Sequence, residues 1–215
     1  MEVKLKKQVT EFIIKNLRWI ILLLSIIIFW LILEDIFENE IGRFDNAIYS
    51  VVSQHITPIT TTIFKFITNL GGVITVLVVT LCILVFIKEK KYGIYVTVNL
   101  VVITLINQLL KNIIQRPRLT EFRIIDESGY SFPSGHSMVS MAFYGFLIYL
   151  IYKNIQNKYL KWILCIILSI LIILIGISRI YLGVHYASDV IGGFCFSIGY
   201  LVIFTKIIKK IIRNR

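Results

Sequence analysis

The sequence predicts an all-α integral membrane protein with six transmembrane helices and a short extracytoplasmic helical loop region. Three observations carry this. First, 57% of the 215 residues are hydrophobic and the mean hydropathy is +0.83, more apolar surface than a soluble domain of this length carries. Second, the apolar residues come in long blocks rather than as a helical stripe, and a bilayer core takes about 20 apolar residues per helix. Third, lysine-rich connections alternate with acidic ones along the chain, as the positive-inside rule requires of a multi-pass protein.

Each element follows in order. Residues 1–17 interleave Val3, Leu5, Phe12, Ile13 and Ile14 with lysines and read as an amphipathic cytoplasmic lead-in lying in the interface. The first span covers 19–33. No small-residue cleavage site follows it, and its outer flank from Glu34 to Glu40 is acidic and bulky, so it does not read as a cleavable signal. Residues 34–60 read as an outer loop in which Asp45 caps a short helix through Ser53, ended before Pro58. Gly71 and Gly72 interrupt the pattern ahead of the second span, 73–87. Lys88, Lys90 and Lys91 fill the next loop, before the third span at 92–110. The long connection 111–136 holds Pro117 and Pro133 and is too polar and punctuated to lie in lipid. Spans at 137–152, 160–177 and 186–207 complete the set. Lys153, Lys158 and Lys161 lie between the first two, and the short outer loop 178–185 precedes the last. Lys206, Lys209, Lys210, Arg213 and Arg215 close the chain, which puts both termini in the cytoplasm. Six spans leave little for anything else, so residues 1–215 are expected to form one membrane-embedded domain.

The net charge of +11 does not indicate a nucleic-acid partner. The cations sit at the cytoplasmic ends of spans, where membrane lipids with anionic headgroups are the natural partners. Cys82, Cys165 and Cys195 fall in apolar blocks and read as small hydrophobes. There is no metal-ligand spacing and no disulfide framework.

The polar residues on the outer face have a chemistry of their own. In Pro133-Ser134-Gly135-His136-Ser137, proline stops the preceding chain, Ser134 is suited to cap a helix, and Gly135 admits a close backbone approach. The amides of a helix start attract anions, so His136 would stand beside a bound anion, placed to donate a proton to a leaving oxygen. His185 and Asp189 are four residues apart and share a helical face. The carboxylate would hold one imidazole nitrogen and leave the other free to attack phosphorus. Arg116, Arg118 and Arg179 supply planar donor forks suited to phosphate oxygens. Lys111, taken alone, reads as an interfacial lysine with its head drawn to water. His55 has no such company and reads as a surface or interfacial residue.

Together these segments resemble the signature of the type 2 phosphatidic acid phosphatase family, within the acid phosphatase/vanadium haloperoxidase superfamily. That signature runs Lys-x6-Arg-Pro, Pro-Ser-Gly-His, then Ser-Arg-x5-His-x3-Asp. Lys111 and Arg118 match the first piece, with Leu119 in place of its proline and an Arg116-Pro117 pair two residues earlier. Pro133 to His136 match the second piece, and Ser178, Arg179, His185 and Asp189 the third. The resemblance implies a membrane lipid phosphatase working through a phosphohistidine. His185 would be the nucleophile, Asp189 its orienter and His136 the proton donor. Lys111, Arg118, Ser134, Gly135 and Arg179 would bind phosphate, with Arg116 auxiliary. It implies no cofactor and no metal. The lipid phosphate substrate would be phosphatidylglycerol phosphate, undecaprenyl pyrophosphate or phosphatidic acid. The soluble haloperoxidases lack the spans. A phosphotransferase acting on a sugar or lipid A, and a non-catalytic transporter or scaffold, are the competing readings. The full set of histidines and cations favours an enzyme.

Overall fold

Eight helices and no strand make up residues 2–213, which this computed structural model describes, with side chains described over 15–211. The interfacial character expected of 1–17 therefore rests almost wholly on side chains outside the described ones. Helix α1 (Glu2–Phe37) is followed by two shorter helices, α2 (Gly42–Ser53) and α3 (Pro58–Leu70). The remaining helices are α4 (Val73–Phe86), α5 (Lys90–Ile114), α6 (Gly135–Asn154), α7 (Lys158–Tyr181) and α8 (Ala187–Arg213). The protein is a multi-pass membrane protein. Among the described residues, five helices are long and apolar enough to cross a bilayer.

A sixth crossing needs two helices together. At about 1.5 Å per residue, a 14-residue α4 reaches only about two thirds of a ~30 Å hydrocarbon core. Helix α3 supplies the rest, joined to α4 at Gly71-Gly72 with a bend of 46°. Residues 34–60, expected as an outer loop around one short helix, are mostly helical. Helix α1 runs on to Phe37 and α3 starts at Pro58 behind a capping box made by Thr57 and Thr60. Asp45 is not a helix cap, because Ile41 holds that position and the Asp45 side chain is buried.

The bundle is apolar outside and partly polar inside, as expected where lipid tails are no less apolar than leucine. Trp30, Ile74 and Phe86 lie on the perimeter, while Asn99, Asn107, Ser137, Ser140 and Ser197 are buried between helices. Asn99 Nδ2 donates to the Ala142 carbonyl at 2.9 Å, and Ser197 Oγ to that of Met138 at 2.9 Å. Val96, Phe143, Phe146 and Ile175 form the apolar centre. Helix α1 lies antiparallel along α8, with Lys206 over the Trp19 ring near one end and Phe29 against Phe196 nearer the other. The C-terminal ends of α5 and α7 and the N-terminal ends of α6 and α8 then meet at one end of the bundle, and the lysine-rich connections fall at the opposite end.

Candidate active site

The turn between α7 and α8 holds His185, which is 2% exposed. Its Nδ1 faces Asp189 Oδ2 at 3.3 Å, the i,i+4 contact that the spacing predicts. Its Nε2 faces Arg118 Nη1 at 3.4 Å. Burial pushes the imidazole down to about 4, against the pull of the Asp189 carboxylate. The ring is therefore neutral near pH 7.

Asp189 is fully buried and every side of it is engaged. Oδ2 also accepts from the Tyr186 amide at 2.9 Å and from Ser131 Oγ, and Oδ1 accepts from Arg116 Nη1 at 2.6 Å. Arg116 does not reach the outer headgroups. It is 9% exposed, its Nη2 donates to Asp45 Oδ2 at 2.8 Å, and its guanidinium lies 4.0 Å over the Tyr186 ring. Asp45 is held in turn by the Ser188 amide at 2.8 Å and the Ser188 hydroxyl at 2.7 Å.

Residues 115–134 cover this end of the bundle as an ordered strap. Gln115 ends α5 in the left-handed region at φ 52°. Ile124 donates to the Leu182 carbonyl at 3.0 Å, Ser131 to that of Arg116 at 2.8 Å, and Ser134 to that of Asp189 at 3.1 Å. Within the strap, Arg118 donates to the Gly129 and Val184 carbonyls, each at 2.9 Å, which leaves its head beside His185. Lys111 donates to the Tyr130 carbonyl from the last turn of α5.

Arg179, 1% exposed, closes another side. Nη1 donates to Thr68 Oγ1 at 2.8 Å and Nη2 to the Glu127 carboxylate. Its Nε is buried and has no hydrogen-bond partner among the described residues. Burial opposes the charge on Glu127, but the Arg179 guanidinium outweighs it and holds the carboxyl below the usual range.

Ser134 caps α6, as the motif predicts, accepting from the Ser137 amide at 3.4 Å. Gly135 leaves room for Asn107, whose Oδ1 would lie 3.1 Å from an added Cβ. His136, on the first turn, borders a groove of about 410 Å³ between α4, α5 and α6. Leu77, Val101 and Leu105 line the groove and face the lipid perimeter. His55 is exposed on α2's C-terminal side, with Nδ1 near the Val51 carbonyl, away from this cluster.

The structure thus gathers His185, Asp189, Arg118, Arg116 and Arg179 with the first turn of α6. Asp45, Thr68, Glu127, Ser131 and Ser188 join them and were not singled out as site residues in the sequence. Ser131 and Ser188 adjoin motif residues, the one local sign they carry. Thr68 is an inward-facing polar residue in an apolar helix, a pattern that asks for a partner. Among the described residues, no cluster of three or more His, Cys, Asp or Glu is placed to hold a metal.

Comparison with known proteins gives a consistent kinship. A profile of the PAP2 superfamily matches residues 91–213. Phosphatidylglycerophosphatase B of Bacillus subtilis (strain 168) is 33% identical over 185 residues, 84% of this chain and 90% of its own. The crystal structure of a transmembrane PAP2-type phosphatidylglycerolphosphate phosphatase from B. subtilis matches with a TM-score of 0.82 at 29% identity. That match covers 90% of this chain and 98% of that one. LpxE of Aquifex aeolicus matches with a TM-score of 0.62 at 20% identity, over 74% and 93% of the two chains, a likeness of fold.

Proposed function

The chain belongs to the PAP2 superfamily and is a membrane phosphatase, and from that premise we propose that it hydrolyses the phosphate of a lipid headgroup through a phosphohistidine at His185. The observation that carries the mechanism is the orientation of that ring. Asp189 occupies the Nδ1 side, and Nε2 faces Arg118 Nη1 at 3.4 Å. With Nδ1–H donating to Asp189, Nε2 keeps its lone pair, which faces Arg118 Nη1 and would form the nitrogen–phosphorus bond once the phosphate oxygens take up the Arg118 donors. The bond from phosphorus to the lipid oxygen breaks, and His136 gives that oxygen a proton. Water then attacks phosphorus, His136 takes a proton from it, and inorganic phosphate leaves His185 unmodified.

Positioned cations do most of the remaining work in phosphoryl transfer. Arg118, Arg179, Lys111 and the amides at the start of α6 would surround the equatorial oxygens. The unpartnered Nε of Arg179 is a donor that such an oxygen would satisfy. The groove beside His136 supports a lipid substrate, because its apolar wall is open to the bilayer and would take acyl chain while the phosphate reaches the polar end. The activity named for the B. subtilis relative makes phosphatidylglycerol phosphate the first substrate to test. The clustering of most lysines at the opposite end of the bundle supports an extracytoplasmic site with both termini in the cytoplasm.

Two measurements test this reading. Enzyme incubated with a substrate labelled in its phosphate and quenched in alkaline detergent should carry an acid-labile, base-stable label that His185→Ala abolishes. A panel of phosphatidylglycerol phosphate, undecaprenyl pyrophosphate, phosphatidic acid and a soluble aryl phosphate should show the highest kcat/KM for the first. Label retained in His185→Ala would refute the nucleophile. A preference for the soluble ester would refute the lipid substrate.

A further inference from the structure

We propose that Asp45, on α2, is a positioning residue for phosphoryl transfer, which works by splitting the guanidinium fork of Arg116 so that Asp189 stays bound to His185. This rests on the reading of His185 as nucleophile and Asp189 as its orienter. Nothing in the matched segment, residues 91–213, contains Asp45.

An arginine facing a single buried carboxylate tends to take both its oxygens with two parallel N–H donors. That does not happen at Asp189. Arg116 gives it one prong, Nη1 to Oδ1 at 2.6 Å, and turns the other, Nη2, to Asp45 Oδ2 at 2.8 Å. The second oxygen of Asp189 is thereby left to His185, Ser131 and the Tyr186 amide. Asp45 is itself fixed. Ser188 donates its amide to Oδ1 at 2.8 Å and its hydroxyl to Oδ2 at 2.7 Å. Because Ser188 is the chain neighbour of Asp189, the two carboxylates are placed from one turn of α8. The Tyr186 ring 4.0 Å from the guanidinium closes the remaining face.

Charge leads to the same conclusion. One guanidinium between two carboxylates leaves one negative charge in excess. His185 gains a positive charge as Nε2 bonds to phosphorus, and the excess is then neutralised in a site with little water to do it. Without Asp45, Arg116 would neutralise Asp189 alone and draw it away from the imidazole. Asp45 is thus expected to act on the chemical step and not on substrate binding.

The test uses the full-length protein in detergent micelles, with phosphatidylglycerol phosphate as substrate. Partners one step behind a reacting group are worth about 10–100-fold when removed. Asp45→Asn should therefore lower kcat by about that factor, with KM changing by less than about threefold. Asp45→Glu should recover most of the loss. The chain has three histidines, so the Nδ1–H resonance of His185 is assignable by NMR. It should lie far downfield in the native protein and move upfield in Asp45→Asn as the bond to Asp189 weakens. If Asp45→Asn fails to fold, Ser188→Ala, which removes the hydroxyl that donates to Asp45 Oδ2 at 2.7 Å and accepts from Arg116 Nη1 at 2.8 Å, should shift kcat and the resonance in the same direction by a smaller amount. An unchanged kcat, a rise in KM alone, or a fall in kcat with the resonance unmoved would overturn the proposal. Label retained on the enzyme in His185→Asn would instead overturn the nucleophile reading beneath it. That result is separate from the three above.

Discussion

Arg116 and Arg118 are two positions apart and serve unlike ends. Spacing from Lys111 selects Arg118 as the proposed phosphate ligand, and its Nη1 lies 3.4 Å from His185 Nε2. The proline between them suggests only that Arg116 is conformationally restrained. With no other residue in view, Arg116 would be expected to face headgroups or solvent, and it does not. Its partner Asp45 is 71 residues away, and no local pattern announces a contact at that separation. The two alanine variants should accordingly fail in different ways. Arg118→Ala should cost roughly 2–5 kcal/mol in kcat/KM, the loss of a charge-assisted partner, with Tm nearly unchanged. Arg116→Ala leaves two buried carboxylates unpaired and should cost about 3–5 kcal/mol of stability, seen as a lowered Tm in detergent. Equal Tm values for the two variants would contradict this division. The histidines separate by chemistry. An activated aryl phosphate needs little protonation of its leaving group, so it should partly rescue His136→Ala and not His185→Ala. In His136→Ala, the pH dependence of kcat/KM on that ester, corrected for ionisation of the ester, reports the free His185. Its pKa is lowered to about 4 by burial, so the neutral, attacking form persists as pH falls from 7 to 5 and is lost only near 4. A midpoint near the ordinary histidine value of about 6.5 would show that His185 is not desolvated as the structure has it.

Among the elements, the long apolar blocks were legible because a helix that faces lipid must be apolar over its whole length. Helices α2 and α3 were harder, since their polar residues are used inward. Tyr181 Oη, from α7, meets Thr60 at 2.7 Å and Thr61 at 2.9 Å, so a threonine run that reads as loop is the contact face of a helix. The kink at Gly71 was visible as a glycine pair, but its reason lies in α7, where an added Cβ would sit 2.6 Å from Ile175 Cγ2. The turn between α7 and α8 is the most constrained. Gly183 has φ 68°, and a Cβ there would lie 2.0 Å from the Phe122 carbonyl oxygen of the strap. Gly183→Ala would take the left-handed penalty of about 1–2 kcal/mol and push the strap from the turn that carries His185. A lower Tm and a lower kcat should appear together. Native values for both would show that the strap yields freely. The groove between α4, α5 and α6 has a test of its own. Thr104 lines it, and Thr104→Trp should raise KM for phosphatidylglycerol phosphate while sparing the aryl phosphate. Equal loss on both substrates would mean that the groove does not carry the lipid chain.

At the scale of the whole molecule, orientation in the membrane follows from where the charges lie relative to the fold. Lysines cluster at the connections between α4 and α5 and between α6 and α7, and along the last turns of α8. The helix ends that carry Asp189, His136 and Arg179, the turn that carries His185 and the strap that carries Arg118 all lie at the other end. Acidic residues, among them Glu121, Asp126 and Glu127, accompany them in the strap. Lysine and arginine near span ends set topology by resisting translocation, and acids count for little, so the rule speaks through the lysines alone. On the proposed orientation they lie in the cytoplasm and the site outside. The same proposal implies a parity, because Lys4, Lys6 and Lys7 at one terminus and Lys209 and Lys210 at the other, both cytoplasmic, ask for an even number of crossings. Six are available only if α3 and α4 cross as one bent unit. If α3 and α4 instead dipped in and returned to the same face, five crossings would remain, and α1 and α8 would then have to leave the membrane on opposite sides. Their antiparallel packing, with Trp19 beside Lys206 and Phe29 beside Phe196, sets the start of α1 and the end of α8 at one end of the bundle and so favours the six-crossing arrangement. Single cysteines decide it. With Cys82, Cys165 and Cys195 replaced by serine, cysteine at Lys88 and at Asp126, both exposed, should react with a membrane-impermeant maleimide from opposite sides of intact cells. Asp126→Cys should label from outside and Lys88→Cys only after permeabilisation. Labelling of both from outside would leave α5 uncrossed and would remove the six-span topology along with the extracytoplasmic site.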